Sequence, residues 1–236
     1  MTALAVSADA AALAAQAAEW MAGILQSRPG PAAVALSGGS TPKLLFQTLA
    51  KPPFMDRMPW DRVHWFWGDE RFVPAADPRS NARMAAEAML TPAAVPSGLI
   101  HAIPTEGMTP EQAAARYQAT LQAFYGTATL DPVRPLFDIV LMGLGTNGHT
   151  ASLFPGTPVL HERDAWAAAV TPENEPTRIT LTYPALESCR HAAFLVAGAD
   201  KRAVLHDVRS GGSDLPAAQY HPQGELHWFA DQAAAG

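Results

Sequence analysis

A chain of 236 residues with 48% hydrophobic and 16% charged residues has the apolar content for one sizeable core and too little charge for a disordered chain, so a single domain over 1–236 is expected. A formal charge of −6 without a basic run argues against a nucleic-acid partner. The uncharged stretches are alanine-rich or broken by Pro and Gly, and none reaches the roughly 20 strongly apolar residues of a membrane span.

The lone Cys189 excludes an internal disulfide and a cysteine-based zinc cluster, and the first residues, MTALAVSADAAALAAQ, lack the basic region of a secretory signal. A reducing, cytoplasmic location is the expectation. Ser7 to Asp9 reads as the cap of a helix running to about Gln26, with Leu13, Ala17, Trp20 and Ile24 on its apolar stripe. After the Pro29-Gly30-Pro31 break, Ala32–Leu36 predicts a buried strand, followed by the small-residue turn Ser37-Gly-Gly-Ser-Thr-Pro42 and a helix from Lys43 to Leu49. Strand, tight turn and helix aim free backbone N–H groups at an anion, although a plain βα connection reads the same way. The turn is neither GxxxxGK[ST] nor GxGxxG, which disfavours nucleotide and dinucleotide sites.

A second strand, Arg62–Trp67, hands over to Gly68-Asp-Glu-Arg71; Trp65 and Trp67 are assigned to the core, and the acids and Arg71 to a site or a solvated turn. Ser80 or Asn81 caps a helix to about Leu90. A short strand is expected at Leu99–Ile103, with His101 structural. Thr109-Pro110-Glu111-Gln112 opens a helix to about Phe124. Asp138–Met142 is an apolar run of the kind buried on both faces of a sheet, and it ends in a turn punctuated by Gly143, Gly145 and Gly148, with Asn147 and His149 between and after them. Further strands are expected at Ala165–Val170, Arg178–Thr182, His191–Val196 and Glu225–Phe229. A helical turn starts at Tyr183, and Gly198-Ala-Asp200-Lys201 opens a helix to about Val208. Alternation of strands and helices predicts an α/β fold, a doubly wound, mostly parallel Rossmann-like sheet with helices on both faces.

In such a sheet the polar clusters at 37–42, 69–71 and 147–149, with Arg178 and Lys201, converge on one rim. They offer an oxyanion-binding turn, a histidine, acids and three cations, with no plausible metal cage. The segments LSGGSTP (36–42), WGDERFVP (67–74), SN (80–81), LMGLGTNGHTASLFPG (141–156), RITLT (178–182) and GADK (198–201) resemble the 6-phosphogluconolactonase family, within the superfamily of glucosamine-6-phosphate isomerases, in the same order and over most of the chain.

The resemblance implies hydrolysis of a sugar-phosphate lactone without metal or cofactor. It makes His149 the general base and assigns the substrate's phosphate and nearby hydroxyls to Gly38, Gly39, Ser40, Thr41, Arg178 and Lys201. Asp69 and Arg71 would face the sugar ring. Asn147 departs from the family's GxDGH pattern, replacing an acid by an amide next to the base. The deaminase members continue toward a catalytic glutamate where this chain has Phe154, which disfavours aldose–ketose chemistry. A non-catalytic sugar-phosphate sensor is the reading from a different class, and oligomeric state is left open.

Overall fold

The computed structural model describes residues 4–173 and 175–236. Its element order is β1 (Leu4–Ser7), α1 (Ala10–Ser27), β2 (Ala32–Leu36), α2 (Ser40–Leu49), β3 (Val63–Trp67), β4 (Asp69–Arg71), α3 (Asn81–Ala85), α4 (Pro110–Tyr125), β5 (Phe137–Met142), β6 (Ala167–Val170), β7 (Arg178–Leu181), α5 (Tyr183–Glu187), β8 (Cys189–Val196), α6 (Arg202–Arg209), β9 (Glu225–Asp231) and α7 (Gln232–Ala235). Six strands form a sheet in the order β1-β9-β8-β5-β2-β3, parallel at every pairing. β2 and β5 are interior strands buried at every position, which is why both read as apolar runs, interrupted only by Asp138 in β5. From β2 the chain moves outward to β3, whereas from β5 it moves the other way to β8 and β9. Right-handed crossovers in opposite directions put helices on both faces. The order reverses between β2 and β5, and the crevice outside the carboxyl ends of those two strands is where such sheets bind ligands.

The caps follow the local chemistry. The Asp9 carboxylate accepts from the Ala12 N–H (2.8 Å) at the start of α1. Thr109 and Gln112 exchange the two bonds of a capping box at α4. Tyr117 on α4 is buried and ties that helix to the end of β3, its hydroxyl donating to the Trp67 carbonyl (2.9 Å) and accepting from the Trp67 N–H (2.8 Å). Trp65 and Trp67 belong to the core, as read from the sequence. Among the described residues no helix is long and apolar enough to cross a membrane.

Three expectations need correction. The segments near 165–170 and 178–182 do not join the parallel sheet; β6, β7 and β4 form a second, antiparallel sheet in the order β4-β7-β6. The cause is chain length, since the connection 171–177 is far shorter than the dozen or more residues a parallel crossover requires. The expected strand at 99–103 reduces to one bridge between Trp65 and Ile100, with His101 stacked against Phe66 (4.4 Å between centroids) and His64 (5.2 Å) as a structural group. α2 begins at Ser40 rather than Lys43, because Gly39 turns the chain at φ +100 and its carbonyl already accepts from Lys43 N–H. The edge strand β1 was also missed; its four residues pair with β9 alone and carry no turn signal ahead of them.

Gly68 joins the two sheets. Its N–H donates to the Leu36 carbonyl (2.8 Å) in line with the parallel sheet, while its carbonyl accepts from Leu181 N–H (2.8 Å) of β7. Asp69 and Arg71 are therefore held against the mouth of the β2/β5 crevice by a sheet separate from the one that carries the glycine loop.

Candidate active site

The loop after β5 is built around backbone bonds that require its glycines. Gly145 N–H donates to the His149 carbonyl (2.8 Å), and Gly148 N–H to the Gly145 carbonyl (2.9 Å). Gly148 sits at φ +78, and a Cβ there would come within 2.7 Å of Leu215, so both its backbone angle and its surroundings demand glycine. The Thr150 hydroxyl donates to the Gly143 carbonyl (2.9 Å), and Ala151, on the cavity wall, takes the left-handed φ of +47 that non-glycine residues seldom adopt.

His149 is half-buried against the Phe154 ring (4.4 Å between centroids). Asn147 Oδ1 accepts from the His149 main-chain N–H (3.2 Å) and lies 2.6 Å from Nδ1. A main-chain N–H can only donate, so the amide oxygen faces the ring and Nδ1 must carry the proton. Nε2 is left with its lone pair. Burial lowers the imidazole's pKa below the ordinary histidine value; the Asp69 carboxylate and Glu175 oppose this, and Arg178 and Lys201 push in the same direction as burial. The ring is thus a neutral base at neutral pH.

A cavity of about 220 Å³ opens beside it, of a size for a small polar molecule. Of the site residues expected from sequence, Gly38, Gly39, Asp69, Arg71, His149, Arg178 and Lys201 line it; Ser40, Thr41 and Asn147 do not. Ser40 is exposed at the start of α2, whereas Asn147 stands behind the histidine, its Oδ1 against Nδ1. Ser37, from the 37–42 cluster, lines it too, as do Asn81 and Ala151, which the sequence did not assign to it. Asn81 had been read only as a helix cap, and its amide also donates to the Asp69 carbonyl (3.0 Å). Gly38 is needed for that arrangement, because a Cβ on it would fall 2.0 Å from Asn81 Oδ1.

Asp69 is buried and fixed by Ser152, whose hydroxyl donates to Oδ2 (2.6 Å) across from the glycine loop. Its neighbour Glu70 points away from the cavity and is structural. Oε1 accepts from Arg71 N–H (2.7 Å) and Asn81 N–H (2.8 Å), and Oε2 from Ala82 N–H (2.7 Å) and Ser80 Oγ (2.9 Å), so the carboxylate sits on the start of α3. Burial raises its pKa, and the four donors restrain the rise. Glu70→Gln places an NH₂ against at least one backbone N–H whichever way the amide turns. We expect a loss of about 2 kcal/mol and a Tm lower by about 4–8 °C, measured by thermal unfolding. An unchanged Tm would remove Glu70 from this clamping role.

The cations are arranged for an anion. Arg71 on β4 and Arg178 on β7 are direct cross-strand partners in the antiparallel ladder, and both face the cavity. Like charges placed opposite each other repel. Each guanidinium also has a buried Nε without a hydrogen-bond partner, although Arg71 Nη1 donates to the Arg79 carbonyl (2.6 Å) and Arg178 Nη2 pairs with Glu175. Lys201, at the turn after Gly198, adds a third positive group from the other side, 3.3 Å from the exposed Asp200. A doubly charged oxyanion relieves the repulsion and supplies the missing acceptors.

A family model described as glucosamine-6-phosphate isomerases/6-phosphogluconolactonase matches residues 7–228. A 6-phosphogluconolactonase of Nostoc sp. is 43% identical over 204 residues, covering 85% of this chain and 82% of the relative. One of Synechocystis sp. is 42% identical over 208 residues, covering 87% and 84%. The solved 6-phosphogluconolactonase from Trypanosoma cruzi superposes with a TM-score of 0.88 at 26% identity, over 100% of this chain and 96% of that one. On the strength of the match over both sheets and of identities above 40% to curated relatives, the chain belongs to the glucosamine-6-phosphate isomerase/6-phosphogluconolactonase family, and within it to the 6-phosphogluconolactonases.

Proposed function

We propose that this chain hydrolyses 6-phospho-D-glucono-1,5-lactone to 6-phospho-D-gluconate, the second step of the oxidative pentose phosphate pathway. The observation that carries the reading is the facing pair Arg71 and Arg178 with unpartnered Nε atoms, in one cavity with the free Nε2 of His149. The phosphate is held by Arg178 and Lys201 with the backbone of Gly38 and Gly39, and Arg71 and Asp69 face the ring. His149 Nε2 takes a proton from water, and the hydroxide adds to the lactone carbonyl carbon. The tetrahedral oxyanion is met by Arg71 or by N–H groups of the glycine turns. Its collapse breaks the bond to the ring oxygen, which takes the proton back from His149 as the C5 hydroxyl. A ring ester is activated enough to need neither a covalent nucleophile nor a metal. The cavity's one carboxylate and one imidazole, set among three cations, make a poor cation site.

Nothing in the cavity favours isomerase chemistry, which needs a second acid near the base; Phe154 fills that position against His149. The reading is tested by following the decay of freshly generated lactone against its uncatalysed hydrolysis. Strong acceleration is expected. Tight binding of the phosphogluconate product without acceleration would replace the enzyme by a sensor.

Asn147 makes the pH dependence specific to this chain. With burial depressing the His149 pKa and no carboxylate behind the ring to raise it, the acid limb of kcat/KM lies below the ordinary histidine range and activity persists at mildly acidic pH. Asn147→Asp puts a negative charge on Nδ1–H, favours the imidazolium and moves the acid limb up by about one pH unit. A pH–rate profile that stays in place in this variant would show that the amide is not what sets the limb.

A further inference from the structure

A second cluster of ligating side chains lies away from the cavity. His191 is the third residue of β8 and Glu225 the first of β9, and the two are partners in the parallel ladder. His227 follows Glu225 by two positions and so shares its face. We propose that His191, Glu225 and His227 form a binding site for one divalent transition-metal ion of the Zn²⁺ class, with water completing the coordination.

The geometry suits this. The Glu225 carboxylate oxygen is 3.4 Å from His191 Nδ1 and 3.2 Å from His227 Nε2. Bonds of 2.0–2.1 Å meeting at the tetrahedral angle put neighbouring ligand atoms about 3.3–3.4 Å apart. All three ligand atoms fall within 4.8 Å of one another, so the remaining edge closes with a small rotation of a partly exposed ring. His191 Nδ1 is buried without a hydrogen-bond partner, so an ion bound there would satisfy it. Trp20 of α1 packs on both rings, 5.1 Å from His227 and 6.3 Å from His191, and limits their rotation. Two imidazoles and one carboxylate suit Zn²⁺, Co²⁺, Ni²⁺ or Cu²⁺ rather than Mg²⁺ or Ca²⁺.

The cluster is near the amino ends of β8 and β9, whereas Lys201 follows the carboxyl end of β8. Five residues of strand separate His191 from Val196, on the order of 16 Å. The ion would therefore join two strands without touching the lactone.

Tag-free, chelator-treated protein is titrated with Zn²⁺ by calorimetry and with Co²⁺ by visible absorption. One ion per chain is expected, with Co²⁺ bands of a low-coordinate site and a Zn²⁺-dependent rise in Tm. His227→Ala and Glu225→Gln, both at partly exposed positions, are each expected to weaken binding at least tenfold while lactone turnover stays within about twofold of wild type. His149→Ala should bind the metal normally. No saturable binding, unchanged affinity in the two strand variants, or loss of binding in His149→Ala would each overturn the assignment, leaving Glu225 as an ion-pair partner of the two histidines.

Discussion

His149→Ala is expected to lower kcat/KM for the lactone by about 10²–10⁴, the usual contribution of a positioned general base. The side chain lies in a loop and its loss leaves the strand ladder intact, so Tm should change little and product binding by Arg178 and Lys201 should survive. The pH profile is the decisive readout. Wild type should lose activity as the imidazole protonates, and the residual activity of the variant should lack that limb and follow hydroxide and buffer. A variant retaining most of the acceleration would keep the lactonase and discard this base. Chemical rescue by imidazole would strengthen the assignment, because the cavity left behind borders on the substrate space.

Gly145→Ala should come close to this effect without removing any catalytic atom. A Cβ at this position would lie 2.1 Å from His149 Nδ1 and 2.2 Å from Cε1, far inside non-bonded contact, so the ring must swing away. Gly145 is not left-handed, and its backbone accepts alanine without strain. The burden therefore falls on the imidazole and its bond to Asn147. Displacing a base by about 1 Å can cost on the order of 10² in rate. We expect a loss of that size in kcat with KM nearly unchanged and a small shift in Tm. Gly148→Ala is the contrasting case: its φ of +78 and its contact with Leu215 should damage stability as well. Wild-type kcat in Gly145→Ala would show that the ring has more room than the loop geometry gives it.

The central sheet was legible because its strands carry signals that depend only on neighbouring residues: apolar runs at Ala32–Leu36 and Phe137–Met142, small-residue turns, and the Thr109/Gln112 box. The second sheet was not read, although the shortness of 171–177 forbids a parallel crossover and was available in the chain itself. Pairing of Arg71 with Arg178 lay beyond reach, since register between segments more than a hundred residues apart is settled by tertiary packing. Asn81 illustrates the same limit. Its place beside Ser80 at the start of a helix explains its backbone, and only the fold brings its amide to Asp69 and Gly38. Ser40 and Thr41 sit in the expected turn, but the early start of α2 at Ser40 places both in the helix, and neither is among the residues lining the cavity.

Gly68 hands the chain from one sheet to the other, and the proposed roles divide in part along that seam. The group that activates water hangs from the parallel sheet through β5, while Asp69, Arg71 and Arg178 hang from β4 and β7. Part of recognition is thus carried by a piece of the fold separate from the one that holds the base, while Gly38, Gly39 and Lys201 stay with the parallel sheet. Changes in the three-stranded ribbon can alter which anion is drawn in, and the imidazole and its amide stay where they were. A family of this build can diversify in substrate by remodelling the ribbon, and grafting β4, β6 and β7 from a relative should transfer substrate preference while the acid limb of the pH profile remains that of the recipient.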